Sequence, residues 1–239
     1  AQACLFQKQF QDVHPEMNGQ ALQPFEFEGL TLLEDTWAMY KSIAGNSTEG
    51  TGNIVWPAAA AIIQVLKLHL EILPKGSFRA VELGAGLGAV GLFLAKLCPR
   101  ASVVLTDVEE SLPLLRRNIA ENCPWLQAMA LPWGPLGRSS CEDIGQPDVI
   151  LGSDICYCND STRLIFWSLE QLQAKLVLMA LADRPGNRDF MLSACREHNF
   201  RIGRTWRFSS GGLMSEFQAR SLANPDVYVY ELLRFGEEK

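Results

Sequence analysis

The sequence predicts an α/β fold, a mostly parallel sheet with helices on both faces. Three observations lead there. Short runs that are apolar throughout, such as residues 149–152 and 176–182, alternate with stretches whose apolar residues recur at helical spacing. Those runs lack the in-and-out alternation of a half-exposed strand, so both of their faces must be covered. Finally, Val81-Glu82-Leu83-Gly84-Ala85-Gly86-Leu87-Gly88 carries one such strand straight into three glycines at alternate positions, with a helical pattern behind them. That junction is where an α/β sheet receives a nucleotide-like ligand.

The elements follow in order. Residues 1–24 are polar and irregular and read as an arm or a short leader helix. Residues 25–30 alternate apolar and charged and read as an exposed strand. Residues 45–52, rich in Gly, Ser, Thr and Asn, read as a loop. A helix follows Trp56-Pro57, where an early proline is tolerated because its missing N–H would have no partner. Ile62, Leu66 and Leu70 mark its apolar face, and Pro74 is its expected stop.

Strands and helices then alternate. Strand 79–83 precedes helix 89–97; strand 102–106 precedes a helix marked by Leu112, Leu115 and Ile119. Short strands at 128–131 and 149–152 come before a helix marked by Leu164, Ile165, Leu169 and Leu172. Strand 176–182, a helix around Phe190, Met191 and Ala194, and strands at 202–208 and 227–233 complete the chain. The last two strands have no strong helix between them and read as an antiparallel closing pair. Residues 1–50 form an N-terminal extension and 51–239 one domain.

Composition narrows the class. At 239 residues and 48% hydrophobic, the chain can bury a substantial core. A net charge of −6 argues against nucleic-acid binding through a broad basic face. Seven scattered cysteines without a CxxC pair fit reduced thiols, so a cytoplasmic or nuclear protein is expected. Only three histidines accompany Cys156-x-Cys158, so no metal site is expected. No apolar run reaches membrane-spanning length, and no membrane partner is expected.

The glycines let the backbone turn sharply and approach a ligand without a Cβ in the way. The helix start behind them offers free N–H groups and partial positive charge. Two enzyme classes fit. Gly84-x-Gly86-x-x-Ala89 satisfies a relaxed dinucleotide fingerprint, and Asp107 lies about 20 residues on, where a ribose-binding acid belongs. An NAD(P)-dependent oxidoreductase is therefore a rival. Glu82 argues against it, since a carboxylate in a buried strand needs partners, whether a ligand or a backbone amide.

Together these segments resemble a family. Glu82-Leu83-Gly84-Ala85-Gly86-Leu87-Gly88 resembles the first motif of class I, seven-strand S-adenosylmethionine-dependent methyltransferases. Val55-Trp56-Pro57, Leu105-Thr106-Asp107, Pro132-Trp133-Gly134 and Ser153-Asp154-Ile155-Cys156-Tyr157, in that order, resemble the protein lysine methyltransferases of the methyltransferase-like 21 group. The likeness runs from about residue 50 to about residue 205. It implies a Rossmann-like seven-strand sheet with the last strand antiparallel. It implies S-adenosylmethionine as cofactor, with S-adenosylhomocysteine as product.

By position, the resemblance implies cofactor contacts at Trp56, Glu82, Gly84, Ala85, Gly86, Gly88, Asp107, Trp133 and Ser153. Asp107 would hold the ribose hydroxyls and Trp133 would lie near the adenine. Ser153 stands where the family more often carries alanine. The resemblance implies a protein substrate, such as a chaperone, a translation factor or another multi-subunit protein, and a monomeric enzyme. Arginine, histidine or small-molecule methylation, and an inactive cofactor-binding scaffold, remain as alternatives.

The resemblance makes Asp154 and Tyr157, as the D-x-x-Y motif of this chain, the catalytic candidates, and the chemistry is compatible. Methyl transfer from a sulfonium is an in-line displacement in which positioning and electrostatics carry the work. A carboxylate and a phenol beyond a strand end can orient a neutral amine by hydrogen bonds. The competing structural reading makes Asp154 the N-cap of the next helix and Tyr157 packing. Trp56 reads equally as core anchor or cavity wall. Arg184 and Arg188 read as solvated or as reaching an acidic region of a substrate, and Arg116 and Arg117 as solvated.

Overall fold

The computed structural model describes residues 22–35, 51–209 and 226–234. The arm up to residue 21, the loop at 45–50 and the stretch 210–225 lie outside the described residues.

Strands β1 (Gln23–Phe27) and β2 (Leu30–Glu34) form a hairpin where one exposed strand was expected. Glu28 and Gly29 both have positive φ, 50° and 74°, which suits a tight two-residue hairpin turn. The alternation in the sequence was real, but Glu28 and Gly29 form this turn and Leu30 already opens β2. Phe27, Leu30 and Leu32 are buried in the main core, so the hairpin packs on the domain.

The larger sheet comprises β3 (Phe78–Leu83), β4 (Ala101–Asp107), β5 (Gln127–Ala130), β6 (Val149–Ser153), β7 (Leu176–Ala182), β8 (Phe200–Phe208) and β9 (Val227–Arg234). Its order is β5-β4-β3-β6-β7-β9-β8. β5 through β7 run parallel, and β9 is inserted antiparallel between β7 and β8. The expected closing pair is β8–β9, and the last strand is antiparallel as the resemblance implied.

Among the described residues, six α-helices cover the sheet: α1 (Pro57–Leu68), α2 (Ala89–Leu97), α3 (Leu112–Asn122), α4 (Arg138–Ile144), α5 (Asn159–Leu172) and α6 (Asn187–Glu197). The period-two pleat divides β7 between two cores. Leu176, Leu178, Ala180 and Ala182 face one side, with residues of α1, α2 and α3. Val177, Met179 and Leu181 face the other, with residues of α4, α5 and α6. Every β7 side chain is buried, which is why that strand reads as continuously apolar.

Three local expectations need correction. α1 ends at Leu68, before Pro74, and Leu70 lies in a following 3-10 turn, exposed. Leu164 of α5 is also exposed rather than core. Helix α4 was not foreseen: of its seven residues only Cys141 and Ile144 are buried, too few to show a period.

Candidate active site

The sheet order reverses between β3 and β6, since the chain first builds toward β4 and β5 and then crosses to β6 and β7. Open α/β sheets bind ligands at such a point, beyond the carboxyl ends of the strands. A cavity of about 910 Å³ lies here, lined by the residues after β3, β4 and β6 and by residues 52–56. Trp56, Glu82, Gly84, Ala85, Gly86, Asp107, Trp133, Ser153, Asp154 and Tyr157 all line it. Gly88 does not. It precedes α2 with φ 83°, and a Cβ there would meet Leu105 and Leu115 at 2.8 Å, so its place is in helix–strand packing.

Two glycines are dictated by close approach. A Cβ on Gly84 would sit 2.7 Å from Ile155 and 2.8 Å from Trp133; on Gly86 it would sit 2.7 Å from the Gly52 carbonyl oxygen. Both also have positive φ, which L side chains rarely adopt. The loop is thus pressed between Trp133 on one side and the 52–56 wall on the other. Trp133 in turn faces Tyr157, with ring centroids 6.4 Å apart.

Asp107, at the end of β4, ties this loop down. Its Oδ2 accepts from the Gly86 N–H at 2.7 Å and its Oδ1 from the Val108 N–H at 2.8 Å. Burial raises its pKa, opposed by those two donors and by the Ser111 hydroxyl. Each carboxylate oxygen has a second lone pair, so Asp107 can still accept from a ligand hydroxyl. Glu82 is 1% exposed, with Oε2 accepting from the Gly91 N–H of α2 at 2.8 Å. Burial, reinforced by the Asp107 charge and opposed by the Gly91 donor, pushes it up to about 8. It belongs to the cavity floor and also has the backbone-amide partner that was its structural alternative.

Asp154 sits just past β6 with φ 57°, a left-handed conformation that Asp tolerates better than most residues. Its carboxylate is not an N-cap. Arg184, just past β7, donates Nη1 to Oδ1 at 2.7 Å and Nη2 to Oδ2 at 2.6 Å, a two-pronged ion pair. The Asp154 side chain is only 7% exposed. Helix α5 is capped instead by Cys158, whose Sγ accepts from the Ser161 N–H. The Arg184 guanidinium also lies 5.6 Å over the Trp56 ring, which makes Trp56 a cavity wall. Tyr157 is 43% exposed at the rim, its phenol raised first by burial and then by neighbouring acidic groups, Cys158 and Asp107 among them.

Sequence reasoning missed Arg184's place in the site, although it singled the residue out. The 52–55 wall was read only as loop and helix approach. Arg188 lies 4.8 Å over Tyr228, outside the cavity, while Arg116 and Arg117 are exposed as expected. Among the described residues no His, Cys, Asp or Glu group is arranged to hold a metal ion, and no helix is long and apolar enough to cross a membrane.

A sequence profile described as lysine methyltransferase matches residues 40–197. The chain belongs to the lysine methyltransferase family. This lysine methyltransferase family member is 34% identical over 140 residues to the protein N-lysine methyltransferase METTL21A of Danio rerio, covering 56% of this chain and 62% of the relative. It is thus aligned to a little under two thirds of that relative's length. It is 28% identical over 198 residues to the Xenopus tropicalis METTL21A, covering 75% and 84%. Among solved structures, a magnesium protoporphyrin IX methyltransferase from Synechocystis with bound SAH superposes with a TM-score of 0.56. That match has 14% identity and covers 96% of this chain and 94% of the other; it speaks for the methyltransferase fold.

Proposed function

We propose that this protein transfers the methyl group of S-adenosylmethionine to a lysine side chain of another protein. One observation carries the reading. The motifs of the lysine methyltransferase family converge on a single cavity, with the glycine loop and Asp107 on one flank and Asp154 and Tyr157 on the other.

The residues fit the cofactor. Gly84 and Gly86 leave bare backbone at the cavity wall, Asp107 keeps accepting capacity for ribose hydroxyls, and Trp133 offers an aromatic face for a base. Ser153 lines the same space. When bound, the cofactor supplies an activated methyl on a sulfonium. The chain's own residues then have three tasks. The walls at 52–56, 84–87 and Trp133 bound the site and hold the cofactor in place. Asp154, held rigid by Arg184, presents a fixed acceptor for an incoming amine N–H. Tyr157 supplies a hydroxyl at the rim, and the Trp56 and Tyr157 rings favour a cationic guest. Orientation of this kind accounts for much of the rate in a displacement.

A protein substrate is supported by the names of the related enzymes, both protein N-lysine methyltransferases. A cytoplasmic or nuclear setting is supported by the scattered, odd-numbered cysteines.

The test is calorimetric titration of the purified chain with S-adenosylhomocysteine and, separately, NAD, followed by labelling of cell extracts with methyl-labelled cofactor. Saturable binding of the first ligand alone and label on lysine are expected. NAD binding alone would replace the reading with an oxidoreductase, and label on arginine or histidine would move the acceptor. Asp107→Ala should weaken S-adenosylhomocysteine affinity by about tenfold or more, since hydrogen bonds to a charged acceptor contribute about 1.5–3 kcal/mol. Unchanged affinity would remove Asp107 from the ribose site.

A further inference from the structure

Among the described residues, the outer edge of β2 is met by side chains rather than by another strand. Asn118 of α3 accepts from the Leu33 N–H at 2.7 Å and donates to the Leu33 carbonyl at 3.3 Å. One turn along the helix, Asn122 accepts from the Thr31 N–H at 3.0 Å and donates to the Thr31 carbonyl at 2.8 Å. An amide side chain carries one acceptor and two donors, so each Asn imitates a strand neighbour. Asn118 then uses its second donor elsewhere, on the Leu87 carbonyl of the glycine loop at 3.2 Å. It is completely buried, so each of these bonds costs free energy if lost.

The same hairpin reaches the opposite wall of the cavity. Glu34, the last residue of β2, is 2% exposed and accepts from the Val55 N–H at 2.9 Å. The Asp35 N–H donates to the Asn53 carbonyl at 2.9 Å. Beside these, Gly52 packs against Gly86 closely enough that neither can carry a Cβ without a tight contact or a clash.

We propose that the β1–β2 hairpin is a working part of the cofactor site, and that Asn118 is the positioning residue through which it holds the glycine loop. The inference rests on the S-adenosylmethionine reading. Asn118 touches no ligand; it fixes Leu87, and with it the loop backbone at 84–87, relative to the 52–56 wall. Asn122 provides the internal comparison, because it binds the same strand in the same manner without touching the loop.

The experiment uses the full chain with S-adenosylhomocysteine as probe. By calorimetry, Asn118→Leu is expected to weaken binding about tenfold, while Asn122→Leu stays within about twofold of the parent despite loosening the same hairpin; these correspond to about 1.4 and 0.4 kcal/mol. Equal losses for the two variants, or none for Asn118→Leu, would overturn the proposal. Hydrogen exchange on the unaltered protein decides the matter even if Asn118→Leu does not fold, because coupling between two sites is reciprocal. Saturating probe should slow exchange of the Leu33 amide several-fold. Protection confined to the glycine loop, with Leu33 unchanged, would overturn the role of the hairpin and leave the cofactor reading standing. Failure of the parent protein to bind the probe at all would overturn both.

Discussion

Asp154 and Arg184 show how much one side chain depends on another. A carboxylate only 7% exposed would be costly without its two-pronged partner. Arg184→Ala is expected to lower stability by about 1–3 kcal/mol through the unpaired Asp154. It should also cut methyl transfer at least tenfold while leaving S-adenosylhomocysteine affinity within about threefold. Denaturant unfolding, calorimetry and a single-turnover assay on one preparation check the three parts, and normal transfer would show that Asp154 needs no support. Asp154→Ala should abolish transfer and largely spare cofactor binding, as measured by the same assay. Glu82 makes a pH-dependent prediction. Its folded pKa near 8 lies above the ordinary carboxylate value, so the folded state holds a proton that the unfolded chain releases. Its contribution to stability is complete below about pH 4.5 and is lost as pH rises through about 8. Glu82→Gln should therefore flatten the fall in melting temperature between pH 5 and 9; identical pH profiles would place the proton elsewhere.

At the scale of elements, the ends matter more than the middles. α5 begins on Cys158, whose thiol is a weak acceptor for the Ser161 N–H at 3.4 Å. Asp, Asn and Ser are the preferred residues at that position. Cys158→Asp is expected to stabilise the protein by about 0.5–1 kcal/mol, both by a better cap and by negative charge at a helix start. In a chain of this size that is a rise of about 1–4 °C in Tm, checked by differential scanning calorimetry; a fall would mean the thiol packs more favourably than a carboxylate bonds. The Glu28-Gly29 turn and helix α4 belong to the same scale. Both were hidden because short elements with few buried residues leave no period. The long, strongly apolar strand β7 and the proline-started helix α1 were plain in the sequence, apart from the last turn of α1.

Across the whole molecule, the site is a meeting of segments far apart in the chain. The alternation of strands and helices, the glycine junction after β3, Asp107 at the end of β4 and the Asp154-x-x-Tyr157 turn after β6 were all legible. The alternation and the glycine junction are written in local periodicity and in glycines whose backbone geometry is needed on the spot, whereas Asp154 and Tyr157 were singled out through the family resemblance. What the sequence alone determined is therefore the α/β class and the parallel core with its antiparallel close, and, through the family resemblance, the glycine loop, Asp107, Trp133, Asp154 and Tyr157 of the cavity. Only the tertiary structure decided the partners: Arg184 on Asp154 across 30 residues, Asn118 on β2 across 85, Gly52 against Gly86, and Gly88 turned to packing. Those contacts are between side chains and backbone brought together by folding. No local pattern records them, since a buried Asn or a paired Arg looks in sequence like any polar residue on a helix or a loop.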